Sequence, residues 1–161
     1  MRKLSGRKER TLGPHSFFEM SKAILLDKVA EEECVDAVVL PVARVTLWTP
    51  RWRSTAEDGT VVAVALEKAA RNGEVLLGGG RSFRIAQMPE KVVAIMMPDE
   101  AAMTAKIGWY LGNRHLPIEV REEEILLELF PNLTDSLDRI GISYEVREDV
   151  LNCGPHSEHT H

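Results

Sequence analysis

Between Lys91 and Glu148 the chain alternates strand and helix patterns in a defined order. "KVVAIMM" predicts a strand, and "PDEAAMTAKIGWYLGN" predicts a helix that begins at Pro98, with acidic residues near its positive end. Gly112 is suited to the left-handed residue that ends a helix. Two strands, a second helix and a closing strand are predicted next, at "HLPIEV", "EEILLELF", "PNLTDSLDRIG" and "ISYEVRE". The order β-α-β-β-α-β is typical of the ferredoxin-like arrangement.

The preceding part of the chain has a β pattern. "VDAVVLPVARVTLW" is rich in β-branched residues, and Pro41 within it indicates an edge strand or a break. The turn signal "EDGT" precedes a further strand pattern, "VVAVALEKA". "FFEMSKAILLDKVAEE" fits a strand or a helix. The glycines at 78–80 lack the Lys-Ser/Thr pair of a phosphate-binding loop, so they predict a turn.

We therefore expect an α+β protein, with an N-terminal mostly-β domain at 21–97 followed by a ferredoxin-like domain at 98–150. A hinge is expected near Met97–Pro98. Residues 1–20 are predicted to be a flexible basic extension, and 151–161 a His-containing tail. The basic extension fits a solvated tail or a weak nucleic-acid or lipid-binding arm.

Composition restricts the class of protein. The 161 residues carry a net charge of −5, which argues against a duplex-binding surface. There is no run of about 18 apolar residues and no apolar segment of a secretory signal, so we expect neither a membrane partner nor secretion. The two cysteines, Cys34 and Cys153, are too few for a disulfide framework, and a cytoplasmic location is expected.

The end of the sequence, "CGPHSEHTH", indicates metal binding. Three histidines, His156, His159 and His161, lie within the last six residues, and the first of them is three positions after Cys153. Neutral imidazole is the commonest protein ligand for metal ions, and a thiolate at Cys153 could join the set. Incidental histidines in a polar terminus, or the remnant of a purification tag, would produce a similar pattern.

His115 follows the predicted helix end in "YLGNRHLPIEV". On the residues alone, interaction with the last helix carbonyls and the helix dipole is the favoured explanation. No acid–base or nucleophilic grouping accompanies it, and the acidic run at 122–124 fits a solvated face. There is also no dinucleotide fingerprint. The sequence therefore predicts no catalytic residue and no site for an organic cofactor.

At "GWYLGNRHLPIEV" the chain resembles the UreE family, the urease accessory proteins that act as nickel metallochaperones. The family pattern is H-L-G-N-R-H followed by a small apolar residue, Pro and a strand, and Tyr110 stands where the family often has His. Upstream, "RSTAEDGTVVAVALEKAARNGEVLLGG" resembles the family's R-x-x-T-x-D-G segment. Downstream, "DSLDRIGISYEV" resembles its second helix and closing strand. The resemblance covers roughly residues 35–161.

The resemblance implies a nickel carrier and not an enzyme. It implies a homodimer formed by the second domain, with one Ni²⁺ bound at the interface by His115 of each subunit and with tail histidines as further ligands. Zn²⁺ or Cu²⁺ could bind the same donors. The implied partners are urease apoprotein and the other urease accessory proteins, including a GTPase. "LELFPNL" carries no donor where many members have His before the second helix, and the tail is short, so few ions per dimer are expected.

Two other hypotheses fit the residues. The β domain could serve a metal-independent adaptor that binds proteins, with an incidental tail. A small metalloenzyme could use His115 and Cys153, although no acid–base group lies near either in the sequence.

Overall fold

The computed structural model describes residues 23–32 and 34–154. The predictions for 1–20 and for His156, His159 and His161 lie outside the described residues. Eleven strands in three sheets and three helices make up the described part, which confirms the mixed α+β class. Within it, no helix is long and apolar enough to cross a membrane.

The N-terminal part consists of two sheets. The elements of this part are β1 (Ile24–Leu26), β2 (Lys28–Val29), β3 (Val38–Val42), α1 (Arg44–Leu47), β4 (Arg51–Thr55), β5 (Val61–Ala65), β6 (Val75–Gly78) and β7 (Arg81–Gln87). One sheet has the order β1-β5-β4 and the other β2-β6-β7-β3, and β1–β5 and β3–β7 are parallel pairs. Side chains of both sheets join in one buried apolar cluster, which includes Leu26 and Val62 of the first sheet and Leu40 and Phe83 of the second.

The structure resolves one ambiguity of the sequence pattern in this part and differs from the pattern at one other place. The ambiguous segment before residue 30 contains the strands β1 and β2. The β-rich segment after Pro41 does not continue as a strand, because the Thr46 and Leu47 amides donate to the carbonyl of Ala43 and begin α1. Pro41 lies in β3, which is an edge strand as predicted. The helical turn buries Arg44 and Leu47, so tertiary contacts outweigh the local β propensity here.

The elements of the C-terminal part are β8 (Glu90–Met96), α2 (Ala101–Gly112), β9 (Ile118–Val120), β10 (Glu124–Glu128), α3 (Leu133–Arg139) and β11 (Glu145–Asp149). Its four strands form one antiparallel sheet with the order β11-β8-β10-β9. The predicted boundary at 97 would assign β8 to the first domain. β8 is an inner strand of this sheet and pairs with β10 and β11, and the predicted domain bounds remain a prediction.

Both faces of this sheet are covered. On one face, Val93 and Ile95 of β8 pack with Leu111 of α2 and Leu137 of α3. The opposite, non-helical face has a smaller cluster in which Val92, Ala94 and Leu126 are covered by Leu151, beyond the end of β11. Burial on both sides explains why β8 and β10 have continuous apolar runs and not an alternating pattern.

Arg44 connects the N-terminal part to the sheet. It is only 3 % exposed. Its Nε and Nη2 donate to the two carboxylate oxygens of Glu90 at 2.6 and 3.0 Å, Nη2 also donates to Glu128 at 2.7 Å, and Nη1 donates to the carbonyl of Cys153 at 3.1 Å. Burial disfavours the charge, but the hydrogen bonds to Glu90 and Glu128 outweigh it and the pKa of Arg44 lies above its usual value.

Replacing Arg44 alone tests this connection. Arg44→Met removes the buried cation that Glu90 and Glu128 share, and should lower the free energy of unfolding by about 3 kcal/mol. Arg53→Met, at an exposed cation on β4, should change it by less than about 0.5 kcal/mol. Urea denaturation measures both. Equal free energies for the two variants would contradict a structural role for the Arg44 contacts.

Candidate metal centre

His115 is the residue that turns the chain out of α2. Its φ is +54°, in the left-handed region. The His115 amide donates to the Gly112 carbonyl at 3.0 Å and the Leu116 amide to the Leu111 carbonyl at 3.3 Å. These two bonds form a Schellman end, in which His115 holds the position that glycine usually occupies. Gly112 is the last residue of α2 but does not have a positive φ, so the prediction that it is the left-handed residue is wrong; the left-handed residue is His115, three positions later.

This conformation is costly for a residue with a Cβ. Left-handed backbone costs about 1–2 kcal/mol for L-residues other than glycine. His115 is exposed, so burial of its ring does not repay that cost. A strained non-glycine residue at an exposed helix end is a reason to look for a function of its side chain.

Neighbouring contacts make the helix end rigid. Leu111 and Leu116, the two partners of the longer capping bond, are both buried in the cluster between the helices and the sheet. The guanidinium of Arg114 lies 4.2 Å from the centre of the Tyr110 ring, and the Tyr110 hydroxyl donates to the Ser136 carbonyl at 3.5 Å. Arg114 therefore stacks on its own helix, and the imidazole of His115 is presented on a fixed backbone.

The exposed side of α2 near this end carries one large apolar residue and two glycines. Trp109 is 70 % exposed. A Cβ built at Gly108 or Gly112 would meet no atom within 4 Å, so both glycines face open space.

The start of the helix differs from the prediction, because α2 begins at Ala101 and Pro98 lies before it.

The chain after β11 is held along the non-helical face of the sheet. Gln87 Nε2 donates to the Leu151 carbonyl at 2.7 Å, and Arg121 Nη2 donates to the Val150 carbonyl at 2.9 Å. The Asn152 amide donates to Glu119 Oε2 at 2.6 Å, and its side-chain Nδ2 donates to Oε1 at 3.3 Å. The start of the predicted metal-binding tail is thus fixed by contacts to both parts of the protein.

Cys153 and His115 are not brought together. Cys153 packs against the apolar cluster of the non-helical face, whereas Leu116, next to His115, packs on the helical face. Burial raises the pKa of the Cys153 thiol, which disfavours the thiolate that a metal would need. Within residues 23–32 and 34–154, no three His, Cys, Asp or Glu side chains lie together as a metal site. The predicted ligand roles of His115 and Cys153 remain predictions, and those of His156, His159 and His161 concern positions outside the described residues.

Two long-range contacts of the C-terminal segment escaped the sequence analysis. Glu119 and Asn152 are 33 positions apart, and Arg44 and Cys153 are 109 apart. No periodicity or short motif signals such pairs. The segment "GNRH" indicated where the helix ends. The residue types in it do not indicate which of the four has the left-handed backbone conformation.

Comparison with known proteins identifies relatives of part of the chain. Residues 90–161 match the family described as UreE urease accessory protein, C-terminal domain. Urease accessory protein UreE of Ralstonia nicotianae is 34 % identical over 96 residues, which are 58 % of this chain and 45 % of the relative. The UreE of Burkholderia mallei is 36 % identical over 98 residues, 59 % of this chain and 53 % of the relative. The UreE of Burkholderia ambifaria is 33 % identical over 121 residues, which are 73 % of this chain and 59 % of the relative. The chain thus spans about half the length of these curated relatives.

Two substitutions at His115 test the capping geometry. Since glycine adopts left-handed backbone without strain, His115→Gly should have a higher free energy of unfolding than His115→Ala by about 1 kcal/mol. At the adjacent Asn113, where φ is −68°, the order should reverse, with Ala more stable than Gly. Thermal or urea unfolding of the four variants measures this. The same order at both positions would exclude the left-handed assignment.

Proposed function

Because residues 90–161 match the family of UreE C-terminal domains, we propose that this protein is a urease accessory nickel carrier that binds Ni²⁺ through His115 and delivers it to urease apoprotein. The observation that carries the proposal is the exposed, left-handed His115 on the rigid end of α2. Its partners would be urease and the other urease accessory proteins, including a GTPase, in the cytoplasm. The protein would act as a carrier and not as an enzyme.

A homodimer would supply the second ligand. One exposed imidazole holds a metal ion weakly, but a two-fold axis beside the end of α2 brings two copies of His115 to the same ion. The exposed Trp109 lies six residues before His115, about 9 Å along the helix, and Gly108 and Gly112 allow a second helix to approach closely. These features support the outer face of α2 as the dimer contact.

The sheet order supports the ferredoxin-like assignment of this domain. The central strands β8 and β10 are flanked by β11 and β9, and α2 and α3 pack on one face, as a β-α-β-β-α-β order requires. The N-terminal sheets would then serve for contacts with protein partners.

An open imidazole site suits a carrier. A closed tetrahedral cage of thiolates would hold the ion too firmly for transfer. Imidazoles and tail donors leave positions on the ion through which a receiving protein can bind it. Affinity for such ligands rises from Ni²⁺ to Cu²⁺, so Cu²⁺ and Zn²⁺ should also bind, and selectivity must come from geometry and from the receiving partner.

Removing the imidazole tests the nickel site. His115→Gly should retain the fold and the dimer but lose the tight ion, because the left-handed backbone is kept and both interfacial donors are absent. Isothermal titration with Ni²⁺ and native mass spectrometry measure affinity, stoichiometry and assembly together. Asn113→Ala is the matched control at the same helix end and should bind Ni²⁺ like the original chain. Unchanged binding by His115→Gly would exclude the site, and weak, sub-stoichiometric binding by the original chain would favour the metal-independent adaptor.

Charging the outer face of α2 tests the dimer. Trp109→Glu should produce a folded monomer with Ni²⁺ affinity lowered about 10-fold or more, since each ion then has a single His115. Val45→Glu, at an exposed apolar residue of α1, is the control and should remain dimeric. Sedimentation equilibrium measures the mass. A Trp109→Glu protein that stays dimeric would place the contact elsewhere.

A further inference from the structure

A groove lined by methionines lies on the helical face of the C-terminal sheet. It encloses about 430 Å³ between the first half of α2 and the segment that leads into β11. Met96, Met97 and Met103 line it together with residues 141–145. Ile95 lines it too and belongs to the buried cluster between the helices and the sheet. The groove therefore opens from the apolar core of this part of the protein to its surface.

Exposed apolar side chains gather at this groove. Twelve large apolar side chains of the described residues are well exposed, and four of them lie here. Met96 and Met103 line the groove and are 58 % and 40 % exposed, and Ile140 and Val146 each adjoin a residue that lines it. Val146 is paired with Val93 in the sheet, so its side chain is on the same helical face. Exposed apolar groups that lie together mark an interaction surface, whereas scattered ones need no explanation.

Carboxylates lie beside the apolar lining. Glu145 is the one charged residue among the described residues that line the groove. Asp99 is exposed and adjoins Pro98, which also lines it. The hydroxyl of Tyr144, a further lining residue, donates to Asp138 at 3.3 Å. These charges favour a positively charged occupant.

The Glu145 carboxylate is not committed to a partner in its own chain. Arg147 Nη1 lies 3.8 Å from it, which is too long for a hydrogen bond. Arg147 Nη2 instead donates to Glu124 at 2.6 Å and to Asp149 at 2.9 Å. Since the Glu145 side chain is also 69 % exposed, a cation of another molecule can approach it from solvent.

We propose that this methionine groove binds a cationic amphipathic segment of a partner protein. The apolar side chains of the segment enter the groove, and its lysines or arginines lie beside Asp99, Asp138 and Glu145. Methionine suits such a surface because its unbranched thioether side chain adapts to apolar groups of different shape. Grooves of this kind bind amphipathic helices through their apolar faces.

A second copy of this chain fits the groove less well. A two-fold contact through the groove would place the same carboxylates opposite each other, which disfavours association. The groove is also separate from the proposed nickel site, because Met103 is in the first turn of α2 and His115 follows the end of that helix. The inference therefore goes beyond the proposed function and does not depend on it.

Peptide binding to the full chain tests the groove. The probe is a fluorescein-labelled peptide of leucine and lysine alone, with the leucines at helical spacing so that they form one apolar face. A matched probe has glutamate in place of every lysine. The lysine peptide should bind, and the glutamate peptide should bind at least about 10-fold more weakly because of the carboxylates at the groove. Fluorescence anisotropy at low salt measures both affinities.

Substitution of single methionines localises the peptide. Met103→Gln should weaken binding of the lysine peptide about 10-fold, because an amide replaces a thioether in the groove. Met96→Gln, at the more exposed methionine of the groove, gives a second test of the same contact. Met88→Gln is the matched control, since Met88 is 44 % exposed and does not line the groove, and it should bind like the original chain. Circular dichroism verifies that each variant is folded.

Removal of charge tests the role of the carboxylates. Asp99→Asn combined with Glu145→Gln should weaken binding of the lysine peptide about 3-fold or more. Glu57→Gln combined with Glu67→Gln changes the net charge equally at two exposed carboxylates of the N-terminal part and should leave binding unchanged.

Each outcome bears on one part of the inference. Equal affinities of the Met103→Gln and Met88→Gln proteins, or no binding of the lysine peptide, would overturn the groove as a binding site. Equal affinities for the two probes would overturn the cationic partner. A lower mass of the Met103→Gln protein in sedimentation equilibrium would assign the groove to a second copy of the chain and overturn the partner protein. Ni²⁺ affinity should be the same in Met103→Gln and the original chain, so the nickel site stands or fails separately.

Discussion

The buried guanidinium of Arg44 is the point at which three segments of the chain are joined. It donates four hydrogen bonds. Two go to Glu90 at the start of β8, one to Glu128 at the end of β10 and one to the carbonyl of Cys153. A buried cation is tolerated only when its donors are satisfied, so these partners must be in place together. The placement of α1 against the sheet and the path of the C-terminal segment at Cys153 are therefore coupled through this side chain.

This arrangement defines the two segments of the chain from which the proposed metal centre would be built. His115 is fixed by the end of α2, since the capping bonds and the buried pair Leu111 and Leu116 define its backbone. The tail begins from an equally defined point, at Asn152. A carrier needs both properties: a fixed donor gives the ion a preferred position, and donors on a terminal segment can exchange with those of a receiving protein.

The cost of the left-handed His115 illustrates a general relation between strain and function. The backbone at this position would accept glycine more readily, yet it carries an imidazole on an exposed surface. Binding to an ion, with a second copy across a two-fold axis, would give the imidazole a use that its own subunit does not.

The sequence by itself determined the elements from β8 to β11, because helical spacing, strand patterns and turn residues are local and need no knowledge of distant partners. It also singled out His115 through a resemblance to the UreE family. The match of residues 90–161 bears out the resemblance, and the role of His115 stays a prediction. It could not determine that Arg44 leaves the β pattern to form α1, that His115 and not Gly112 reverses the helix, or that Glu119 holds Asn152. Those outcomes depend on contacts between residues far apart in the chain, and their energies exist only once the sheets have brought the partners together.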